Sequence, residues 1–585
     1  MCLLKNFLDE TSAKNRCIHI LIVGFILLLF MTISVSQKQI GHIDEYFSYS
    51  LANSGYIGRN HPEIFEHSTL WYTQDMIRRK YDSETVKNIV KVWNEPLLFI
   101  IYAGGKKSLS KEDAQHIMMP SDEAKFNFAA VSWNQSIDVH PPLYYMLLNI
   151  VCSVFYNDGE FSPWHGLSLN LFIFFFTLPC VYCLMYIISK GNHILSILAI
   201  CVFAFSCGGT VAFLRMYMLL TFFTLLYTCL ILKFFEENRE GKFSADSKIY
   251  AIALFLTIVL GSFSHHYFFL YMGISGMFLC LYFAFNRKKS DFLRFLKISV
   301  SSVIVSLLLF PFTVLHLFFG EHSAGDIISR YENNQIFFEI LKYIGEYLDF
   351  VKRTIFGGAG NFILSFLIIG LLILYFNRKK IKEIVFPKET YLLIPTILSF
   401  LVFVAVTAKY QDERYIMNIY PIFSTLFLYL FYMIYKAYFE KIKFKPFLIL
   451  ILFILMANNN IKNISTYMYR DSLNRYNILQ EYRDMPCVYV YDDKDYSLSS
   501  RESSFSLVKE LSLYSKVDFV KDYEFNTFLS NIKNENIIVY FCSFKDEKYE
   551  ANMPVIEKTL KNTSYPYKEI TREKGYPVYK LDTRK

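Results

Sequence analysis

Long apolar runs recur along this 585-residue chain and restrict its fold more than any other feature. A helix needs about 20 mostly apolar residues to cross the hydrocarbon core of a bilayer. The candidate spans, about eleven in number, are 17–36, 166–189, 193–213, 216–235, 249–264, 267–285, 298–319, 360–376, 390–408, 415–435 and 446–458. With 54% hydrophobic and 18% aromatic residues, the chain is too apolar for an ordinary soluble protein. We therefore predict an α-helical polytopic membrane protein.

Clusters of basic residues indicate how these spans are oriented. Arg287-Lys288-Lys289, Arg378-Lys379-Lys380 and four lysines between 436 and 445 each follow a span. Because Lys and Arg are enriched in cytoplasmic loops, a cytoplasmic N-terminus places all three clusters on the cytoplasmic side. The stretch 17–36 is longer than the apolar part of a signal peptide and lacks a cleavage site, so it is interpreted as a retained anchor. The net charge of +8 therefore indicates topology and not nucleic-acid binding.

The same orientation assigns the segments between the spans. The apolar stretch 141–156 is short for a span, and counting it as one would invert every later loop. We predict a juxtamembrane helix there, preceded by a large extracytoplasmic loop at 37–140. Strand-like runs alternate with helical patterns after residue 460, which is typical of an α/β fold. The predicted domains are a membrane domain, 1–459, and a small extracytoplasmic α/β domain, 460–585.

Unusual polar residues gather on the extracytoplasmic side of this layout. They are Asp44, Glu45, Asp138, His140, Arg215, Tyr217, His265, His266 and Arg414. Ionisable residues at membrane depth are costly and usually functional. Simpler explanations exist for each kind: carboxylates that solvate a helix end, a histidine in a capping turn, arginines and tyrosines that anchor helices at the interface.

These residue types suggest group transfer from a phosphate-bearing lipid. Asp44 and Glu45 supply a candidate general base, and Asp138 could position an acceptor or a divalent cation. A phosphate would be bound by His140, Arg215, Tyr217, His266 and Arg414, since a guanidinium matches phosphate oxygens bidentately. The first turn of the 141–156 helix adds backbone N–H groups, and its Pro-Pro start has no N–H to satisfy.

In sequence order, these motifs resemble those of the GT-C glycosyltransferases. The motifs are Asp44-Glu45 after the first span, Asp138-Val-His-Pro-Pro-Leu-Tyr-Tyr145, Arg215-Met-Tyr217, His266-Tyr267 and Arg414-Tyr415. The resemblance is strongest to the bacterial branch related to protein O-mannosyltransferases and lipid A aminoarabinose transferases. It covers about 1–435 and is weak in the C-terminal segment.

The resemblance implies an inverting transferase that takes a sugar from a polyprenyl-phosphate donor on the extracytoplasmic side of the cell membrane. Asp44 would be the general base, and His140, Arg215 and Arg414 would stabilise the phosphate leaving group. Glu45 and Asp138 would position the acceptor or help to hold a divalent cation. No other cofactor is implied, and the need for a metal is left open. The sugar is not identified, nor is the acceptor, which could be a lipid, a glycan or a protein.

Two enzyme or transport alternatives and one non-catalytic alternative stay open at this point. An envelope polysaccharide polymerase or ligase would take a glycan from a lipid pyrophosphate. A flippase or transporter for a lipid-linked glycan would show ionisable residues at the bilayer midplane and an internal repeat, and neither is visible. A scaffold that only displays the C-terminal segment would tolerate neutralisation of Asp44.

Overall fold

Two compact units make up the protein in a computed structural model. The residues described are 13–55, 108–138, 140–156, 160–240, 247–286, 289–318, 336–357, 360, 387–408, 411–438, 459–491, 507–532, 535–541, 553–572 and 577–584. Unit 1 contains Met1–Gln37, Val139–Tyr144 and Leu167–Tyr467, and unit 2 contains Lys38–Asp138, Tyr145–Gly166 and Met468–Lys585. The C-terminal segment thus clusters with residues that were predicted to belong to the membrane domain. The predicted domain boundaries at 459 and 460 stay a prediction.

Helices dominate the described chain. In order they are α1 (Ala13–Val35), α2 (Ile43–Asn53), α3 (Lys111–His116), α4 (Phe128–Ile137), α5 (Leu143–Val154), α6 (Trp164–Ile188), α7 (His193–Ala204), α8 (Gly208–Ala212), α9 (Tyr217–Glu240), α10 (Ser247–Ser262), α11 (His266–Phe285), α12 (Lys289–Leu309), α13 (Phe312–Phe318), α14 (Ile336–Phe356), α15 (Thr390–Thr407), α16 (Tyr420–Tyr438), α17 (Arg470–Leu479), α18 (Val508–Leu511), α19 (Phe525–Asn531) and α20 (Met553–Lys561). A 3₁₀ helix, Glu413–Ile419, runs directly into α16.

Seven helical stretches of the described chain are long and apolar enough to cross a membrane. They are Ala13–Val35, Trp164–Ile188, Tyr217–Phe235, His266–Phe285, Lys289–Leu309, Thr390–Thr407 and Glu413–Lys436. Their length and composition indicate a multi-pass membrane protein. The predicted spans 360–376 and 446–458 lie outside the described residues.

Three predicted spans differ from the helices found. The span 193–213 is two helices, α7 and α8, separated at 205–207, and the span 249–264 corresponds to the 16-residue α10. The span 298–319 belongs to α12, which ends at Leu309, and the separate short helix α13. Pro311 explains that break, because proline lacks an N–H and disfavours helical geometry at the residue before it.

One long helix of unit 1 has no counterpart among the predicted spans. Helix α14 is 21 residues long and alternates apolar residues with charged ones such as Glu339, Lys342 and Glu346. The charges lower its average hydropathy, which hides it from a search for uniformly apolar runs. The helix predicted at 141–156 is present as α5, and its position at the membrane surface stays a prediction.

Unit 2 contains a six-stranded mixed sheet. Its strands are β1 (Ser108–Ser110), β2 (Pro486–Tyr491), β3 (Lys516–Lys521), β4 (Asn536–Phe541), β5 (Tyr567–Thr571) and β6 (Val578–Asp582), in the spatial order β1-β3-β2-β4-β6-β5. β2 is parallel to both β3 and β4, with Cys487 opposite Val517 and Ile538. β1 and β6 pair antiparallel to β3 and β4, and β5 pairs antiparallel to β6.

The sheet explains the apolar runs near the C-terminus. Both faces of β2 are buried, since Val488 and Val490 lie on one face and Cys487 and Tyr489 on the other. A strand that is covered on both faces has a continuous apolar sequence and not an alternating one. Helices α19 and α20 pack against one face through Phe525, Leu529, Ile556 and Leu560, which share a core with Val539, Phe541 and Leu581. The edge strand β1 comes from the segment predicted as a loop, so the sheet is not built from 460–585 alone.

Candidate active site

Six basic side chains form a group in unit 1, at the ends of its apolar helices. This cationic cluster consists of His140, Arg215, His265, His266, His316 and Arg414. His140 precedes α5, Arg215 precedes α9, His265 caps α11, and Arg414 lies in the 3₁₀ helix before α16. Four of the six are positions predicted from the sequence as phosphate ligands.

His140 and Arg215 lie next to each other. Nη2 of Arg215 is 3.4 Å from Nε2 of His140, with the guanidinium as the donor. The ring of His140 is 5.7 Å from that of His265. The backbone N–H of Leu143 donates to the carbonyl of Phe263 at 3.1 Å, which fixes the Pro141-Pro142 turn beside the turn that leads into α11.

His265 occupies the middle of the cluster. Its Nδ1 accepts the N–H of Tyr267 at 3.0 Å and caps α11, and its ring is 5.6 Å from that of Tyr217. Burial lowers the pKa of His265 well below its ordinary value, and the nearby His140, His266 and two arginines lower it further. The ring is therefore neutral at neutral pH, with its proton on Nε2 because Nδ1 is an acceptor.

His266, which the sequence predicted as the phosphate ligand at this turn, has a different neighbour from His265. Nε2 of His266 is 3.4 Å from Nδ1 of His316. His316 lies in α13 and is largely buried. It was missed because the predicted span 298–319 runs over it. A single histidine within an apolar segment is itself a signal that could have drawn attention to it.

Arg414 is held by the turn in which it lies. Asp412 accepts the backbone N–H of Arg414 at 3.1 Å, and its other carboxylate oxygen forms an ion pair with the guanidinium, 3.2 Å from Nε. The guanidinium is partly exposed and lies 5.3 Å from the ring of Tyr415. Glu413 faces another way, since it accepts hydrogen bonds from Tyr467 at 2.6 Å and Thr354 at 3.3 Å. A phosphate bound at Arg414 would compete with Asp412 for the guanidinium.

A buried asparagine fixes the turn that carries Arg215. Asn170, in α6, donates to the carbonyls of Val211 and Phe213 at 3.0 and 2.9 Å. At the other end of α8, the N–H of Gly208 donates to Asn460 at 2.9 Å, and a Cβ at Gly208 would collide with that side chain. Asn170 was not among the predicted residues, although a fully buried amide in an apolar helix needs a hydrogen-bond partner.

The predicted carboxylates lie in unit 2. Asp44 is in the first turn of α2, and its side chain is 25% exposed. Its N–H donates to Nδ1 of His42 at 3.3 Å, and one carboxylate oxygen lies 3.6 Å from the same nitrogen. Asp44 therefore combines an accessible carboxylate with a fixed backbone, as a general base requires.

Glu45 differs from Asp44 because it is fully buried in an ion pair with Lys38. Its two oxygens lie 3.0 and 3.1 Å from Nζ of Lys38, and one also accepts the N–H of His42 at 2.7 Å. Burial lowers the pKa of Lys38, and the attraction of Glu45 opposes that effect. Both oxygens of Glu45 are thus occupied by the turn before Asp44, which favours a positioning role over the predicted catalytic one.

Asp138 is the C-cap residue of α4. The helix is joined to the end of α2 by the buried Asn134, which donates to the carbonyls of Leu51, Ser54 and Gly55 at 3.2–3.3 Å. Asp44 and Asp138 are therefore carried by two helices of the same unit that pack together. Within the part of the chain described, no group of three or more His, Cys, Asp or Glu residues is placed to hold a metal ion.

Comparisons with known proteins give similarities of overall fold only. No protein-family model matches the chain, and no curated protein sequence matches it. The crystal structure of ArnT from Cupriavidus metallidurans bound to undecaprenyl phosphate is similar at 9% sequence identity and a TM-score of 0.46, and the match covers 97% of this chain and 98% of that one. The structure of the same protein in the apo state is similar at 10% identity and a TM-score of 0.41, with 75% of this chain and 87% of that one covered. An Archaeoglobus fulgidus oligosaccharyltransferase in complex with Zn and sulfate is similar at 11% identity and TM-score 0.39, covering 68% and 59%. Both proteins are GT-C superfamily members.

Proposed function

We propose that this protein is an integral-membrane glycosyltransferase that moves a sugar from a polyprenyl-phosphate donor to an extracytoplasmic acceptor. The observation that supports it most is the cationic cluster of unit 1. Two arginines and four histidines at the ends of apolar helices would together bind a phosphate. The two permanently charged guanidinium groups are costly beside apolar helices unless an anion binds there.

The cluster supports stabilisation of a leaving phosphate. In the proposed reaction the bond between the anomeric carbon and the phosphate oxygen breaks, and its electron pair stays on that oxygen. Arg215 and Arg414 would carry the permanent positive charge that stabilises it, and His140 and the Nε2 proton of His265 would donate hydrogen bonds. His266 and Tyr217 remain proposed ligands of the same phosphate. Because a phosphate is a weak base, no general acid is required.

Asp44 is the proposed general base. An acceptor hydroxyl or amine forms the new bond to the anomeric carbon while its proton passes to the carboxylate of Asp44. Attack opposite to the leaving phosphate inverts the configuration. Glu45 and Lys38 would hold the turn that aims Asp44, and Asp138 would position the acceptor or a divalent cation.

The test is release of free polyprenyl phosphate by the purified protein. A panel of polyprenyl-phosphate sugars would be offered with a crude envelope acceptor, with and without divalent metal. We expect wild type to release polyprenyl phosphate from one donor, Asp44→Asn to release none, and Arg215→Met to lower kcat about 100-fold. Arg294→Met is the matched control, because Arg294 lies near the start of α12, outside the cluster.

Two outcomes would contradict the proposal. Full activity of Asp44→Asn would rule out the base. No release from any donor by wild type would rule out the polyprenyl-phosphate transferase, and donor pyrophosphates or transport of a lipid-linked glycan would then be tested with the same protein.

A further inference from the structure

The segment 468–585 has no part in the reaction proposed above, yet it reaches the turn that carries Asp44. That turn, residues 38–45, is called the Asp44 turn. We propose that Lys509 is a positioning residue that holds the Asp44 turn and thereby aims the proposed base. The effect on catalysis rests on the proposed function, whereas the stabilisation of the Asp44 turn by Lys509 does not.

The contacts of Lys509 are unusual for a lysine. Its Nζ donates a hydrogen bond to the backbone carbonyl of Gln39, in the Asp44 turn. The ammonium also lies over two aromatic rings, 5.1 Å from the centre of Phe161 and 4.8 Å from that of Tyr476. The residue is only 9% exposed. Lysines are rarely buried to this extent, because burial of the charge costs free energy that specific contacts have to offset.

Lys509 remains charged at neutral pH in this setting. Burial lowers its pKa to about 8, and the carboxylate of Glu160 opposes the shift. The hydrogen bond to the Gln39 carbonyl is therefore charge-assisted at pH 7, which makes it stronger than a bond between neutral groups.

The helix that carries Lys509 is anchored to the sheet. The single Nε–H of the buried Arg475 is shared between the two carboxylate oxygens of Glu510, the next residue, at 3.1 and 3.0 Å. The hydroxyl of Tyr540, in β4, lies 3.4 Å from the same carboxylate. A buried pair with several hydrogen bonds fixes geometry well. Lys509 thus extends toward the Asp44 turn from a helix whose position is fixed by the sheet.

The residues on both sides of Gln39 are also held by contacts with 468–585, so a shift of the Gln39 carbonyl would be transmitted along the Asp44 turn. Lys38 is fixed by Glu45, and its ammonium lies 4.7 Å from the ring of Tyr469. The ring of His42 stacks on the same tyrosine at 5.6 Å. Tyr469 adopts a left-handed backbone, φ 46°, which non-glycine residues keep only when their surroundings impose it. Residues of 468–585 therefore contact the turn before, at and after Gln39.

Loss of the hydrogen bond from Lys509 to the Gln39 carbonyl should displace the carboxylate of Asp44 and should affect binding of the donor less. A misplacement of about 1 Å can cost on the order of 100-fold in rate. We expect Lys509→Met, which keeps the apolar stem, to lower kcat about 10- to 100-fold with an unchanged donor KM. Lys509→Arg keeps the charge and should recover most of the rate.

The experiment measures two quantities on the full-length protein in detergent. One is kcat and donor KM, and the other is hydrogen exchange of the backbone amides of residues 38–45. Lys509→Met should raise exchange in that segment, and Lys509→Arg should restore its protection. Lys516→Met is the control, since Lys516 is more than half exposed and lies on β3 of the same sheet.

The readouts separate failure of this inference from failure of the proposed function. Unchanged exchange of 38–45 in Lys509→Met would overturn the hold, whether or not the protein is a transferase. Raised exchange with an unchanged kcat would overturn the positioning role. If wild type releases no polyprenyl phosphate, the proposed function fails, and the exchange data still decide whether Lys509 holds the turn. Should Lys509→Met not fold, Lys509→Gln, which also removes the charge, takes its place with the same expected and contrary results.

Discussion

His265 is the residue whose charge state matters most within the cationic cluster. Its pKa in the folded protein is well below 6.5, mainly because it is buried. The unfolded chain therefore binds more protons at this position than the folded protein does in mildly acidic solution. By linkage, the free energy of unfolding is therefore highest above the ordinary histidine pKa. It decreases as the pH falls from that value toward the lowered pKa of His265 in the folded protein.

We accordingly expect the apparent melting temperature of wild type to fall below about pH 6.5. In His265→Asn this fall should be smaller, because asparagine can still cap α11 but does not titrate. The measurement is thermal unfolding of the purified proteins from about pH 5 to about pH 8, because histidines titrate in that range. Asn192→Ser, a change at the N-cap of α7 that involves no titrating group, should keep the wild-type dependence of the melting temperature on pH. Identical profiles for wild type and His265→Asn would contradict the prediction.

At the residue scale, the sequence predicted the members of the cluster better than their roles. His140, Arg215 and Arg414 stand out because each is a polar residue at the start of an apolar helix. The sequence cannot decide which of two adjacent histidines caps a helix. His265 has an extended backbone, φ −168°, and α11 begins at His266, so the two rings face different neighbours. That choice depends on where the helix begins, to within a single residue.

At the scale of elements, α6 also supports the cationic cluster, because its Asn170 fixes the turn before Arg215. Replacement by leucine would remove the side-chain donor of the Val211 carbonyl and would leave the Phe213 carbonyl with the N–H of Arg215, at 2.8 Å, as its donor. The expected cost is about 1–3 kcal/mol, with a lower melting temperature and reduced kcat. Thr177→Val in the same helix is the control, since the Thr177 hydroxyl donates to the carbonyl of Ile173 within its own helix. If both variants melt like wild type, Asn170 does not fix that turn.

The helices also show where hydropathy and proline patterns suffice and where they fail. Uniformly apolar runs such as α1, α6 and α11 were predicted nearly to their ends. The amphipathic α14 was missed, because its packing face becomes visible only once its neighbours α15 and α16 are known. The break between α12 and α13 was foreseeable from Pro311, but no proline marks the break between α7 and α8.

At the scale of the whole molecule, the composition of unit 2 could not be derived from chain order. Three separate stretches, 38–138, 145–166 and 468–585, form one compact unit. The register that joins them, with Leu109 opposite Val517, pairs residues about 400 positions apart. A strand of three residues carries too little periodicity to reveal such a partner. The order of elements predicted the alternation of strands and helices, but not which earlier segment supplies the edge strand.

The membrane topology is the last property that the charge pattern predicts and that an experiment can check directly. Residues 287–289 should be cytoplasmic, and the segment after the last span should be extracytoplasmic. In a variant whose native cysteines are replaced by serine, a cysteine would be introduced at the exposed Ser290 or at Tyr523, which is 62% exposed. A membrane-impermeant maleimide applied to intact cells should label Tyr523→Cys and leave Ser290→Cys unlabelled until the membrane is permeabilised. The reverse pattern would invert the topology and place the proposed transfer in the cytoplasm. Labelling of both positions in intact cells would show that the number of spans between residues 290 and 523 is even, whereas the predicted layout has an odd number there.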